Sequence, residues 1–208
     1  ENCYMTQTRR AFLVSVAASA GAITVLPYAA LAAAHSGDMF ETNAGPISVH
    51  PVSHASVVLE TPAGTIYVDP VGDPAQYANL PSADLILVTH EHGDHFNADT
   101  LAALMGDGTT LITNPGVHAL LPEGLATVAQ AIGNGDTTEF NSMGIDAIPA
   151  YNTTENRLQF HPPGRDNGYI LSFDGFRIYI SGDSEDTPEM RALEDIDLAF
   201  VCMNLPFT

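Results

Sequence analysis

The sequence predicts an α+β domain behind an N-terminal export segment. Three observations carry this. From Gly45 onward, short apolar runs with β-branched residues recur between Gly, Pro and Asp punctuation; a few helical patterns are interspersed among them; and an Ala-rich apolar run follows two arginines near the start. Hairpin-like pairs come first and helices are scattered, the pattern of sheets covered by helices within one domain. A length of 208 residues fits one domain plus an export segment.

The expected strands are Ile47–His50, Ser56–Glu60, Thr65–Asp69, Asp84–Thr89, Thr110–Thr113, Ile145–Ala150, Tyr169–Phe173, Phe176–Ser181 and Leu198–Cys202. Asp174-Gly175 between two of them predicts a tight hairpin turn. Helices are expected at Ala98–Met105, Gly116–Leu121 and Pro188–Glu194. The last has Thr187 as N-cap and Pro188 at its first position.

Residues 1–34 read as an address. Met5 is the natural start, and Glu1 to Tyr4 read as upstream sequence. Arg9-Arg10 with Phe12-Leu13 resembles a twin-arginine (Tat) signal, and the apolar run closes on small residues around Ala30-Leu31-Ala32 that suit cleavage. The run is long enough to span a bilayer, but its Ala, Gly and Ser content favours a cleaved signal over an anchor. The expectation is an exported, periplasmic or extracellular protein with no stable membrane association after cleavage. Residues 45–208 form the expected domain.

The chain carries 25 acidic against 6 basic residues, all six of them Arg, for a net charge of −19. Such a surface repels phosphate polyanions and anionic lipid, so nucleic acid is not an expected partner and a small molecule is. Only Cys3 and Cys202 are present. With Cys3 in or before the export segment, the mature chain has no internal disulfide and no thiolate-based structural zinc site.

The chemistry is concentrated in ADLILVTHEHGDHFNADTL, residues 83–101. The apolar run Leu85–Val88 predicts a buried strand that delivers His90, His92, Asp94 and His95 on the loop at its end, where a rigid scaffold can aim them. His90 and His92 stand two apart in extended chain, point the same way and can share an ion. Gly93 is expected to turn the chain, so that Asp94 and His95 face a neighbouring position. Imidazole and carboxylate donors without thiolate suit Zn²⁺, Mn²⁺ or Fe²⁺. Asp183, in SGDSED, is the candidate bridging carboxylate, with a plain turn Asp as the competing role. Asp69, in VDP, fits a turn or an outer supporting role better than ligation. His50 reads as structural and His54 as able to approach the site from a strand start. Cys202 reads as a small buried hydrophobe.

His90-x-His92-x-Asp94-His95 after a hydrophobic strand resembles the signature of the metallo-β-lactamase superfamily. His54-Ala55-Ser56, TIYVDP at 65–70 and IYISGD at 178–183 extend the resemblance over most of the chain, toward the branch that holds the ascorbate-phosphate lactonase. The resemblance implies a four-layer αββα sandwich, one or two metal ions (Zn²⁺ first) at the sheet edges, and hydrolysis by metal-bound hydroxide. Asp94 would bind the second ion and orient the attacking water, and Asp183 would bridge the two. The resembled pattern has a histidine where Asn152 stands, so the remaining ligand of the first ion is open between Asn152, His161 and His118, with His161 favoured. The pattern also continues past this chain's end at Thr208 with a helix, a strand and a further His, so a fragment is expected.

The function expected is a metal-dependent hydrolase of a small ester, lactone or phosphoester. An iron-dependent redox enzyme on the same fold and a non-catalytic, degenerate metal-binding protein are the alternatives. Arg157 and Arg165, in the polar stretch 151–168, are expected to pair with nearby carboxylates rather than grip substrate.

Overall fold

The computed structural model describes residues 37–203. The export segment read at 1–34 lies outside the described residues.

Among the described residues twelve strands form two sheets. The first, with seven strands in sequential order, comprises β1 (Asp38–Phe40), β2 (Ile47–Ser53), β3 (Ser56–Thr61), β4 (Gly64–Val68), β5 (Leu85–Val88), β6 (Thr110–Thr113) and β7 (Ala129–Ala131). Pairing is antiparallel from β1 to β4 and parallel from β4 to β7. The second sheet, in the order β12-β11-β10-β9-β8, comprises β8 (Thr137–Phe140), β9 (Met143–Ala150), β10 (Asp166–Phe173), β11 (Phe176–Ile180) and β12 (Leu198–Phe200). Among the described residues the α-helices are α1 (Ala98–Leu104), α2 (Pro115–Leu120), α3 (Glu123–Ala126) and α4 (Pro188–Arg191).

Strand β5 shows why the layers stack as they do. All four residues are fully buried, as expected of an interior strand in parallel pairing. Leu85 and Leu87 join the core between the sheets, with Ile145, Tyr169, Leu171 and Ile178 from the second sheet. Ile86 and Val88 face the other way, against Leu101 of α1, Val117 of α2 and Leu125 of α3. Each such side chain contributes roughly 1.5–3 kcal/mol by leaving water. Helices, first sheet and second sheet thus make three of the four expected layers. For the outer layer beyond the second sheet, the only described α-helix that does not pack on the first sheet is the one-turn α4, in the crossover from β11 to parallel β12.

Local signals act as expected. Asp174 and Gly175 both have positive φ (47° and 80°) and close the β10–β11 hairpin. Thr187 caps α4 by accepting from Met190 N; Asn97, which the sequence reading did not single out, caps α1 by accepting from Thr100 N. The last strand is shorter than expected, ending at Phe200.

Strand direction gathers one set of ends. Strands β4 and β5 are parallel, so Asp69 and Thr89-His90 emerge side by side at their C-terminal ends. In the second sheet β9 and β11 both run antiparallel to β10, so the ends of β9 and β11 and the start of β10 share one edge. The two edges are stitched together: Asn167 N donates to Thr89 O at 3.1 Å and Tyr169 OH to Val88 O at 2.8 Å. Gly182 permits this approach. Its φ is +58°, and a Cβ there would lie 2.8 Å from Asn167 O and 3.2 Å from Thr89 Cβ.

Candidate metal centre

The six residues expected to bind metal meet at this joined edge, with His54 beside them. His90, His92 and His161 present donor atoms within 4.8 Å of one another; so do His54, Asp94 and His95, and so do His90, His95 and Asp183. Ring centroids lie 4.1 Å apart for His90–His95, 4.6 Å for His92–His161 and 5.0 Å for His90–His161. Asp183 lies between the groups, with Oδ1 3.3 Å from His95 Nε2 and Oδ2 3.5 Å from His161 Nε2.

The turn that brings Asp94 and His95 round is made by His95 N and Phe96 N, which both donate to His92 O. Gly93 does not have the role expected of it. Its φ is not positive and a Cβ would meet nothing within 4 Å, so no steric demand for glycine exists there.

The hydrogen bonds behind the imidazoles fix which nitrogen faces the centre. Asp69, buried at the end of β4, accepts from Thr89 N and Thr89 Oγ1 at 2.8 Å each, and lies 2.8 Å from His95 Nδ1. Its carboxylate can only accept, so His95 Nδ1 carries the proton. Thr89 Oγ1 has given its hydrogen to Asp69, so at 2.9 Å it accepts from His90 Nδ1. Buried Asp166 accepts from His161 Nδ1 at 2.9 Å in the same way. With Nδ1 engaged in this way, all three rings turn Nε2 inward, the arrangement in which an outer carboxylate or hydroxyl orients a metal-binding histidine. The Nε2 atoms of His90 and His95 are buried with no hydrogen-bond partner; the 3.3 Å approach of His95 to Asp183 is an ion-pair distance without hydrogen-bond geometry. Orphaned, buried, inward-facing nitrogens beside a carboxylate fit a divalent cation.

The electrostatics agree. Burial, then the neighbouring His95, hold His90 well below the usual histidine range. Burial also lowers His92, together with His161 and Arg165. For His95 burial is outweighed by Asp69 and Asp183, which raise it to about 10. Burial would raise Asp183, yet the adjacent His95 imidazole and its charge, with His90, bring it well below the carboxylate range. The cluster holds positive charge, whether a proton on His95 or an ion.

The structure separates the three candidates for the remaining first-site position. His161 is in the cluster. Asn152 is fully buried nearby but donates from Nδ2 to Arg157 O, and His118 is half-buried on α2, outside every cluster of possible donors. His50 pairs with Glu60 across β2 and β3. Cys202 Sγ lies 3.3 Å from Asp183 Oδ1, so it borders the centre rather than filling an apolar core. Arg165 pairs with Asp166 and Glu91, and Arg157 with Glu185, as expected of them.

Three residues escaped sequence reasoning: Thr89, Asp166 and Glu185. Glu185 Oε2 accepts from Thr153 N, Thr153 Oγ1 and Thr154 N, while Oε1 takes Arg157. It clasps the loop after β9 to the segment that carries Asp183. Burial would raise its pKa, but hydrogen bonds from Thr154 and Thr153 bring it down to about 2. No local pattern marks these residues; only the pairing of distant segments does.

A histidine–aspartate centre at the joined edges of two stacked sheets, the first covered by helices, defines the class. The chain belongs to the β-lactamase superfamily, the profile of the family described as "Beta-lactamase superfamily domain" matching residues 48–208. Among its relatives, a UPF0173 metal-dependent hydrolase of Thermococcus onnurineus is 30% identical over 146 residues, 66% of this chain and 62% of the relative. The matched region therefore spans less than two thirds of that relative's length. A candidate metal-dependent hydrolase of Parabacteroides distasonis is similar in structure, with 43% identity and a TM-score of 0.74 over 83% of this chain and 77% of that one. CmlA, a diiron β-hydroxylase of Streptomyces venezuelae, shares the fold at 21% identity and a TM-score of 0.59, over 74% of this chain and 34% of CmlA.

Proposed function

We propose that this protein is a metal-dependent hydrolase of a small ester, lactone or phosphoester, acting at the His90–His92–His95–His161–Asp183 cluster with one or two divalent ions, Zn²⁺ first among them. The observation that carries the reading is the set of inward Nε2 atoms, oriented by Asp69, Thr89 and Asp166, around the Asp183 carboxylate. The names of the relatives support the hydrolase class.

A divalent ion held there would acidify a water and polarise the scissile bond. The protein's own groups do the rest. His90, His92 and His161 would hold an ion at the first position and His95 with Asp94 one at the second, with the Asp183 carboxylate lying between the two groups. Asp94, exposed at the rim, would orient the attacking water and take up its proton. A cavity of about 860 Å³ opens beside His54, His95 and Asp183, walled by Val57, Val68 and Phe200, and suits a small substrate with an apolar part. The acidic surface and the N-terminal address complete the reading: a small-molecule enzyme, exported, without nucleic-acid partners.

The test is metal analysis of the purified protein with a panel of ester, lactone and phosphoester substrates. Zinc or manganese with turnover abolished by chelation is the expected result. Iron with oxygen-dependent turnover, or bound metal without hydrolysis of any substrate, overturns it.

A further inference from the structure

We infer that Arg165 is a positioning residue for the His90–His92–His161 group, which it locks by gripping Asp166 behind His161 and Glu91 between His90 and His92. The inference rests on the reading of that group as a metal-binding position and adds to it a residue outside the ligand set.

The Arg165 guanidinium meets Asp166 with two nitrogens: Nε donates to Oδ1 at 2.7 Å and Nη2 to Oδ2 at 2.9 Å. Oδ2 is also the oxygen that lies 2.9 Å from His161 Nδ1. Two side-by-side N–H···O bonds fix the plane of a carboxylate, which a single bond leaves free to turn. The direction in which Asp166 holds the imidazole is therefore set by the arginine. Nη2 donates as well to Phe160 O, the carbonyl just before His161, so one nitrogen steadies both the backbone and the ring of that histidine. On the other side, Nε lies 3.1 Å from Glu91 Oε1. Asn114 Nδ2 anchors Arg165 O at 2.9 Å. The three imidazoles sit on two segments, the loop after β5 and the stretch before β10, and Arg165 bonds to both.

An exposed ion pair would contribute little and position nothing. This one differs in three ways. Asp166 and His161 are fully buried, so the carboxylate has no water to compete for its orientation. Glu91 Oε2 is buried with no hydrogen-bond partner, a placement that a role in stability alone does not explain. Two carboxylates against one guanidinium leave the trio with a net negative charge, so the arginine can orient the imidazoles without repelling a cation from them. Lysine would not serve, because an ammonium is a point charge without the planar fork.

The test is the Zn²⁺ affinity of the metal-free full chain, measured by competition against a chelator. The visible absorption of the Co²⁺ form reports ligand geometry, and thermal denaturation of the metal-free protein reports structure separately. Arg165→Met is expected to weaken the first equivalent by roughly 10–100-fold, the cost of losing an outer partner, and to shift the Co²⁺ bands. Arg165→Lys keeps the charge without the fork and recovers only part of the loss. Glu91→Gln weakens binding too, and its effect is not additive with that of Arg165→Met, since both act through one guanidinium. If Arg165→Met fails to fold, Arg165→Lys and Glu91→Gln carry the test. Wild-type affinity with unchanged Co²⁺ bands in folded Arg165→Met or Arg165→Lys overturns the inference, even where the melting temperature falls. Additive losses overturn the part given to Glu91. A wild type that binds no ion overturns the metal-centre reading itself.

Discussion

The carboxylate of Asp183 is shared between two buried imidazoles, with Oδ1 3.3 Å from His95 Nε2 and Oδ2 3.5 Å from His161 Nε2. Asp183→Asn removes the charge and puts an amide nitrogen where one oxygen stood. Metal affinity is expected to fall more than the roughly 10–100-fold typical of outer partners, with turnover lost in parallel. Competition against a chelator of known affinity measures the first effect.

Asp69 acts through His95. Asp69→Asn keeps the shape but allows an amide to donate toward His95 Nδ1, favouring the wrong tautomer. The expected loss is about 10–100-fold in metal affinity, and Asp166→Asn should act likewise through His161. Wild-type affinity in both variants would remove the tautomer argument.

Gly182 has φ +58° with Asn167 O 2.8 Å from a notional Cβ. Gly182→Ala is expected to cost about 2 kcal/mol or more from strain and displaced backbone. That corresponds to a drop of roughly 4–8 °C in melting temperature, read by thermal denaturation of the metal-free protein.

Glu185 has a folded pKa of about 2 against an ordinary value of 4.5. Because the folded value is depressed, its contribution is present above pH 4.5 and is lost as pH falls toward 2. Glu185→Gln sets an amide against backbone donors and the Arg157 guanidinium, costing about 2–3 kcal/mol at about pH 7. Denaturant melts should show the gap between wild type and variant shrinking across the acid window. A gap independent of pH would mean that the charge is not what matters.

Much of the scaffold was legible because local chemistry and final environment agree. Leu85–Val88 is apolar on both faces because both faces are covered, and Asp174-Gly175 adopts the left-handed conformations its composition favours. Strands β1, β7 and β8 were not legible. Ala129–Ala131 is Ala-Gln-Ala and Thr137–Phe140 is half-exposed at a sheet edge, so neither carries a run of buried residues. The site divides in the same way. His90, His92, Asp94 and His95 stand together in sequence and so could be read as a unit. His161 sits in a loop whose position depends on Asn152 N bonding His161 O and on Asp166 bonding its ring. No periodicity encodes that, which is why three candidates stayed open for one position. Gly93 needs no glycine conformation: its φ is not positive and a Cβ there would meet nothing within 4 Å, so a glycine inside a motif need not mark a turn.

The first sheet carries His90, His92 and His95 on the loop after β5, and the second delivers Asp183 after β11 and His161 before β10. An ion bound among them would act as a rivet through the two layers. Prying the sheets apart would mean surrendering it, so mechanical cohesion of the sandwich would grow with free metal concentration, by about 2.7 kcal/mol at a hundredfold excess over the dissociation constant.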